Sequence, residues 1–244
     1  MDLIQALAAE LGKDPRHVEN VVHLLDEGNT IPFIARYRKE LHGAMDDTSL
    51  RTLEERLQYL RGLEERREAV KKSIDEQGKL TDELAAAIDS AKTLAEVEDL
   101  YRPYKQKRRT RATMAKEKGL EPLAALLFAQ ERDCPRPEEA ARNFVDPEQG
   151  VETVEDALQG ASDIIAEQIS DDAAIRKSLR ALISRHGQLV SRAATEDDSV
   201  YRLYYDFTQS VARLQGHQVL AINRGEKEGI LKVTVALDRE QALP

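Results

Sequence analysis

Apolar residues recur at helical spacing along most of the chain. Residues 3–11 are predicted to form a first helix. Its apolar face consists of Leu3, Ile4, Leu7, Ala8 and Leu11. Asp14 and Pro15 have the residue types of an N-cap and a first helical position, and Thr30 has that of the cap of a third helix. The first 39 residues are therefore predicted to form short helices joined by turns. This order suits a helix-turn-helix, and equally any small helical bundle.

The longest periodic stretch begins at Asp47 or Thr48 and ends before Gly78. About thirty helical residues at ~1.5 Å each make a rod roughly 45 Å long. The repeat shifts phase after Leu60, which favours a spine packed against shorter helices over a coiled coil. The apolar positions of this spine are Leu50, Leu53, Leu57, Leu60, Leu63, Val70 and Ile74.

Shorter helical patterns follow, and the pattern changes after Gly187. Residues 189–190, 200–204 and 230–237 are rich in β-branched and aromatic types and are predicted to be extended. Residues 217–224 fit either a hairpin arm or a short helix. The shorter helices are predicted at 81–91, 93–101, 121–131, 137–144, 153–169 and 171–186.

The fold class predicted from these elements is mainly α. It is a multi-helical scaffold with a long spine helix and a helix-turn-helix-like part, plus a small α/β portion at the C-terminus. The expected division is 1–46 for the helix-turn-helix-like helices, 47–187 for the scaffold and 188–244 for an incomplete mixed segment. Strand 230–237 has few strand partners upstream, so we expect a truncated chain in which this strand is an unfinished edge.

Composition narrows the class of protein. The chain has 244 residues, 45 acidic against 36 basic side chains, a net charge of −9, and 41% hydrophobic residues. These values exclude a disordered chain and a membrane protein. Apolar runs are too short for a membrane span and no signal peptide is visible, so a cytoplasmic location is expected. Cys134 is the one cysteine, which excludes an internal disulfide and a multi-thiolate metal site.

Motifs of catalysis and cofactor binding are missing from the sequence. It has no GxSxG, GxxxxGK[ST] or GxGxxG stretch, and its five histidines are scattered. Glu19 and His23 share a helix face, but such a pair is more typical of a solvated surface than of a metal site. The chain is therefore predicted to be no enzyme, with no catalytic residue, no metal and no cofactor.

One segment, residues 102–118, is strongly basic. It has eight cations and one acid, Glu117, for a local charge of +7. Cations of this density, flanked by Tyr101 and Tyr104, predict contact with an RNA or DNA backbone and stacking on bases. A strap that docks on an acidic protein face and an idle solvated surface are the alternatives. The cations are Arg102, Lys105, Lys107, Arg108, Arg109, Arg111, Lys116 and Lys118.

Two aromatic stretches are interpreted as architecture. Residues 200–207 hold four aromatic side chains in a region with strands, which is more typical of core than of a stacking platform. In residues 30–40 we expect Ile31, Ile34, Phe33 and Tyr37 to face the first two helices. The cations Arg36, Arg38 and Lys39 are expected to reach acidic neighbours or solvent.

Four stretches resemble the amino-terminal region of the bacterial Tex proteins, which are transcription accessory factors. They run in family order along nearly the whole chain: Thr30–Glu40, Leu100–Ala112, Lys118–Ala124 and Asn223–Gly229. The family is similar to the core of a eukaryotic elongation factor. Its chains continue into a ribonuclease-H-like domain, helix-hairpin-helix elements and an OB-fold that binds RNA. The resemblance favours a helix before Gly225, and implies weak binding by this region alone because the main grip lies in the OB-fold.

Together these features predict the scaffold region of a Tex-like transcription accessory factor, non-catalytic, with an auxiliary contact to RNA or DNA through segment 102–118. The expected partners are nucleic acid, the transcription machinery and the remaining domains of the full-length chain, with no membrane. The alternative is a protein-interaction module that docks the transcription machinery.

Overall fold

The computed structural model describes residues 3–106, 108–132, 134–196 and 198–238. The chain forms two compact units, Met1–Gln106 and Lys107–Pro244. Their boundary falls inside the range 47–187 that the sequence assigns to one scaffold, and the three-part division stays a prediction. The described residues form twelve α-helices and three strands, which confirms the predicted mainly α class with a small α/β portion.

Six α-helices make up the first unit, and local capping explains where several of them begin. The Asp14 carboxylate accepts from the Arg16 amide ahead of α2, and the Asp46 carboxylate accepts from the Ser49 amide at 2.8 Å ahead of α4. Thr30 precedes α3 as predicted, but its side chain makes no capping hydrogen bond. The helices are α1 (Leu3–Leu11), α2 (Pro15–Asp26), α3 (Ile31–Tyr37), α4 (Asp47–Asp75), α5 (Asp82–Ser90) and α6 (Leu94–Tyr101).

Helix α4 is the predicted spine, and the other five helices of this unit pack on it or on one another around it. Its apolar stripe is buried over the full length. Arg67 occupies one position of that stripe with 2% of its surface exposed. The Arg67 guanidinium donates to Glu64 Oε2 at 2.7 Å and to the Ala91 carbonyl at 2.6 Å. These bonds compensate part of the cost of burying a charge.

Two bidentate ion pairs join the first two helices to α4. Arg56 donates to both carboxylate oxygens of Glu10 at 2.7 and 3.0 Å, and Arg61 donates to both of Asp26 at 2.7 and 2.8 Å. The guanidinium bonds lower the pKa of each carboxyl below its ordinary value. Both pairs are partly exposed, so each stabilises the fold modestly.

The loop between α3 and α4 is held by side chains of α2. Asn20 Nδ2 donates to the Leu41 carbonyl at 3.1 Å. The His17 imidazole lies against Gly43, whose φ of +57° favours glycine. A Cβ at this position would overlap the imidazole, so both space and conformation select glycine here.

The second unit is built on α10, against which three shorter helices pack through small side chains. Gly160 of α10 lies so close to Leu120 that a Cβ would collide with the leucine side chain. Thr153 and Asp156 form a capping box at the start of α10. The helices are α7 (Arg111–Glu117), α8 (Glu121–Ala129), α9 (Pro137–Ala141), α10 (Val154–Asp171), α11 (Ala173–His186) and α12 (Gly216–Lys227).

A three-stranded antiparallel sheet of order β2-β1-β3 follows α11. Its strands are β1 (Gln188–Ala193), β2 (Asp206–Ser210) and β3 (Leu231–Ala236). Helix α12 packs on β3, where Gly225 lets Leu231 approach closely. Within the described residues β3 pairs only with β1, so it is an edge strand as predicted.

One sequence-based assignment in the second unit needs correction, and two others agree with the structure. Residues 200–204 are not extended, because they include a 3₁₀ turn at Arg202–Tyr204, and the strand lies just after it. Residues 217–224 belong to a helix, as the family resemblance implied. Among the four aromatic side chains of residues 200–207, Tyr201 is buried and Tyr204, Tyr205 and Phe207 are half-buried, in line with a role in packing.

The expectation that Tyr37 faces the first two helices is wrong. Ile31 and Ile34 are buried and Phe33 is half-buried, but Tyr37 is 57% exposed. At ~3.6 residues per turn, Tyr37 points about 120° away from Ile31, outside the face that α3 buries. The helix also ends at Tyr37, so no later turn covers its ring.

Candidate nucleic-acid interface

The basic segment, residues 102–118, is shared between the two units. Arg102 and Lys105 belong to Met1–Gln106, where the 3₁₀ turn Arg102–Tyr104 directly follows α6. Lys107 lies outside the described residues. The other five cations belong to Lys107–Pro244. The two parts are therefore described separately.

Tyr101 and Tyr104 are half-buried against the core of the first unit. The Tyr101 hydroxyl is 3.0 Å from Ser73 Oγ, within hydrogen-bond distance. The Arg66 guanidinium lies 5.4 Å from the centroid of the Tyr101 ring, which is cation–π distance. The two rings thus have a structural role in this unit, and stacking of a base on them stays a prediction.

Arg102 and Lys105 are both exposed at the end of the first unit. The turn that holds them is itself fixed to the spine, because Gln77 Nε2 donates to the Tyr104 carbonyl at 3.0 Å. The Lys105 amide donates to the Tyr101 carbonyl at 3.1 Å. The backbone of this stretch is therefore defined while its cationic side chains point to solvent.

In the second unit, the basic segment is largely helical, where the sequence suggested a loop or a strap. The Thr110 hydroxyl accepts from the Thr113 amide at 3.0 Å and begins α7. Ala112 and Ala115 bury the opposite face of α7, and this helix packs on α10. Arg111 and Lys116 lie outside this buried face of α7. All five cations of this part are exposed: Arg108, Arg109, Arg111, Lys116 and Lys118.

Three of these five cations already have partners. Arg109 pairs with Glu117 Oε2 at 2.6 Å, and Lys116 lies 3.4 Å from Glu121 Oε1. Lys118 Nζ donates to the Gly150 carbonyl at 2.7 Å. All three interactions are exposed, so they are weak and exchangeable.

Arg108 and Arg111 differ from these three cations. Both are exposed, and neither forms an ion pair with a carboxylate among the described residues. Lys105, in the first unit, is also exposed and forms no ion pair with a carboxylate among the described residues. Lys105 in one unit and Arg108 and Arg111 in the other therefore carry positive charge that no carboxylate of the described residues neutralises.

Other chemistry finds little support in the described part of the chain. No group of three or more His, Cys, Asp or Glu side chains there could hold a metal ion. Glu19 and His23 are both exposed on α2. Cys134 is a free, half-exposed thiol. No helix in the described ranges is both long and apolar enough to cross a membrane.

Comparison with known proteins identifies the family. The model described as Tex-like protein N-terminal domain matches residues 1–75, and the model described as Tex central region-like matches residues 133–243. The chain belongs to the Tex family. The two matches lie in family order and together cover most of the chain, and two of the four resembling stretches, Thr30–Glu40 and Asn223–Gly229, fall within them.

Curated Tex relatives are similar over almost the full length of the chain. Protein YdcI of Bacillus subtilis is 48% identical over 237 residues, and the transcriptional accessory protein Tex of Neisseria gonorrhoeae is 42% identical over 240. The human S1 RNA-binding domain-containing protein 1 is 31% identical over 245. Each alignment covers 96% of this chain but 33%, 31% and 24% of the relative, respectively. The chain thus spans a third or less of these relatives.

Proposed function

We propose that this chain is the non-catalytic scaffold region of a Tex-family transcription accessory factor and that it makes an auxiliary contact with RNA or DNA through segment 102–118. The observation that supports the contact is the set of exposed cations with neither a hydrogen-bond nor an ion-pair partner for the side chain among the described residues, Lys105, Arg108 and Arg111. They stand on a chain whose net charge is −9, so their local charge opposes that of the rest.

The names of the relatives agree with this proposal. One is called a transcriptional accessory protein, and another is named after an RNA-binding domain. The three helices α1, α2 and α3 have the order of a helix-turn-helix, which any small helical bundle shares, so the proposal assigns them to the scaffold. The scaffold role rests on the spine α4, which supports five other helices.

Charge reversal tests the contact. The double variant Arg108→Glu with Arg111→Glu changes two cations that make no ion pair in the described structure. Its melting temperature should therefore equal that of the wild type. Affinity for fluorescein-labelled single-stranded RNA, single-stranded DNA and duplex is measured by anisotropy at low salt. We expect at least about a tenfold loss, because two phosphate contacts become two repulsions.

A matched control uses two exposed arginines outside the segment, Arg132→Glu with Arg142→Glu, which change the net charge equally. The proposal requires this control to retain most of the affinity. Equal losses in both variants mean that net charge alone governs binding, and the segment has no special part. A lowered melt with unchanged affinity supports the internal strap instead, and no change in either measurement rejects both.

A further inference from the structure

The C-terminal end of α3 presents an aromatic ring between cations, on a surface that the basic segment does not include. Tyr37 is 57% exposed, which makes it the most exposed large apolar or aromatic side chain among the described residues of the first unit. An aromatic ring in solvent keeps its face available for stacking on a ligand.

The Tyr37 ring packs against a second aromatic ring of the same helix. Its centroid lies 5.3 Å from that of Phe33, with the ring planes tilted by 47°. The Arg38 guanidinium lies 5.3 Å from the Phe33 centroid, and Arg38 Nη1 donates to the Tyr37 carbonyl at 3.4 Å. Phe33 is itself half-buried, so this aromatic pair is anchored to the fold. A platform ordered beforehand reduces the entropy lost on binding.

Two more cations flank the ring. Arg36 and Lys39 are exposed, and neither forms an ion pair with a carboxylate in the described part of the chain. Cations near a helix C-terminus interact favourably with the helix dipole. This interaction explains neither the exposed ring nor the number of cations. With Arg38 they give three positive charges against one negative charge, Glu40, over residues 36–40.

We propose that this surface, defined by Phe33, Arg36, Tyr37, Arg38 and Lys39, binds single-stranded nucleic acid, with one base stacked on Tyr37 and the neighbouring phosphates on Arg36 and Lys39. An acidic polypeptide would use the cations and leave the ring exposed. A duplex would offer phosphates, but its bases are already stacked on one another. A single strand uses both features, because its bases are free to stack and its backbone is charged.

The test compares Tyr37→Ala with Tyr37→Phe, which keeps the aromatic face and removes the hydroxyl. Anisotropy of labelled oligo(dT) and oligo(U) measures single-strand affinity, and a duplex of matched length serves as comparison. Tyr37→Ala should weaken single-strand binding about 5- to 150-fold, the equivalent of the ~1–3 kcal/mol of a base–aromatic stack. Tyr37→Phe and the duplex affinity should change less than about twofold.

The cations are tested by Arg36→Gln with Lys39→Gln. Loss of two phosphate contacts should make the single-strand salt slope shallower by about 1.4. The Arg108→Glu, Arg111→Glu variant should still show the Tyr37 effect, because neither residue belongs to the α3 surface.

Several results would overturn the proposal. Wild-type affinity in Tyr37→Ala would exclude stacking of a base on Tyr37. Equal losses of affinity in Tyr37→Ala and Tyr37→Phe would show that the hydroxyl, and not the ring, makes the contact. A lower melting temperature with unchanged affinity would show that Tyr37 only shields Phe33. Displacement of the oligonucleotide by polyglutamate as effectively as by unlabelled oligo(dT) would assign the surface to an acidic protein.

Discussion

The salt dependence of nucleic-acid binding by segment 102–118 follows from the ion pairs in the structure. The sequence alone suggests about five phosphate contacts and a log–log slope near −4 on the duplex scale. We count only the described cations that have no other partner, because Arg102, Arg109, Lys116 and Lys118 already take part in interactions. Three remain, Lys105, Arg108 and Arg111, and Lys107 lies outside the described residues.

Three contacts give a slope of about −2.7 on duplex DNA and about −2.1 on a single strand, because each contact releases condensed counterions. Between 50 and 200 mM salt the duplex affinity should then fall roughly 40-fold and the single-strand affinity roughly 20-fold. In the variant Arg108→Gln with Arg111→Gln, one contact remains and the duplex slope should fall to about −0.9.

The assay is an anisotropy titration at four or more salt concentrations, on a duplex that excludes the single-strand contribution of the α3 surface. Arg132→Gln with Arg142→Gln is the control, and its slope should equal that of the wild type. A wild-type slope near zero would refute the phosphate contact. A slope of about −4 or steeper would show that cations beyond these three contact phosphate, and the count of three would be wrong.

Three further predictions concern stability of the first unit. Gly43→Ala should lower the free energy of unfolding by about 1–3 kcal/mol in urea titration, because of its positive φ and the imidazole beside it; Gly62→Ala, in open space on α4, should not destabilise. Arg67→Ala should cost about 3 kcal/mol, since it leaves a cavity and an unpaired carbonyl, and Arg67→Met should recover part; equal stability of all three proteins would contradict the buried bonds. The lowered pKa of Asp26 means that its ion pair stabilises the fold above the ordinary carboxyl pKa and loses this contribution as pH falls through the lowered value. Asp26→Asn should therefore cost about 0.5 kcal/mol at neutral pH and progressively less in acid, and a cost independent of pH would argue against the pair.

The sequence by itself determined most of the helices and the fold class, because the signals that define them are local. An N-cap bonds an amide two or three residues away, as at Asp14 and Thr153, so the cap and the helix start lie in one short stretch. The leucine period of α4 likewise identifies the buried face without knowledge of what covers it. The exposure of the cations in segment 102–118 was also predictable from charge density.

Only the tertiary structure decided the features that depend on distant partners. Helix α7 has seven residues, too few to be stable alone, and it exists because Ala112 and Ala115 pack on α10. Burial of Arg67 depends on a carbonyl of Ala91, far along the chain. Exposure of Tyr37 depends on where α3 ends and on which of its faces the spine covers. Each feature depends on contacts between distant parts of the chain, and the spacing of residues along the sequence does not determine which surfaces meet.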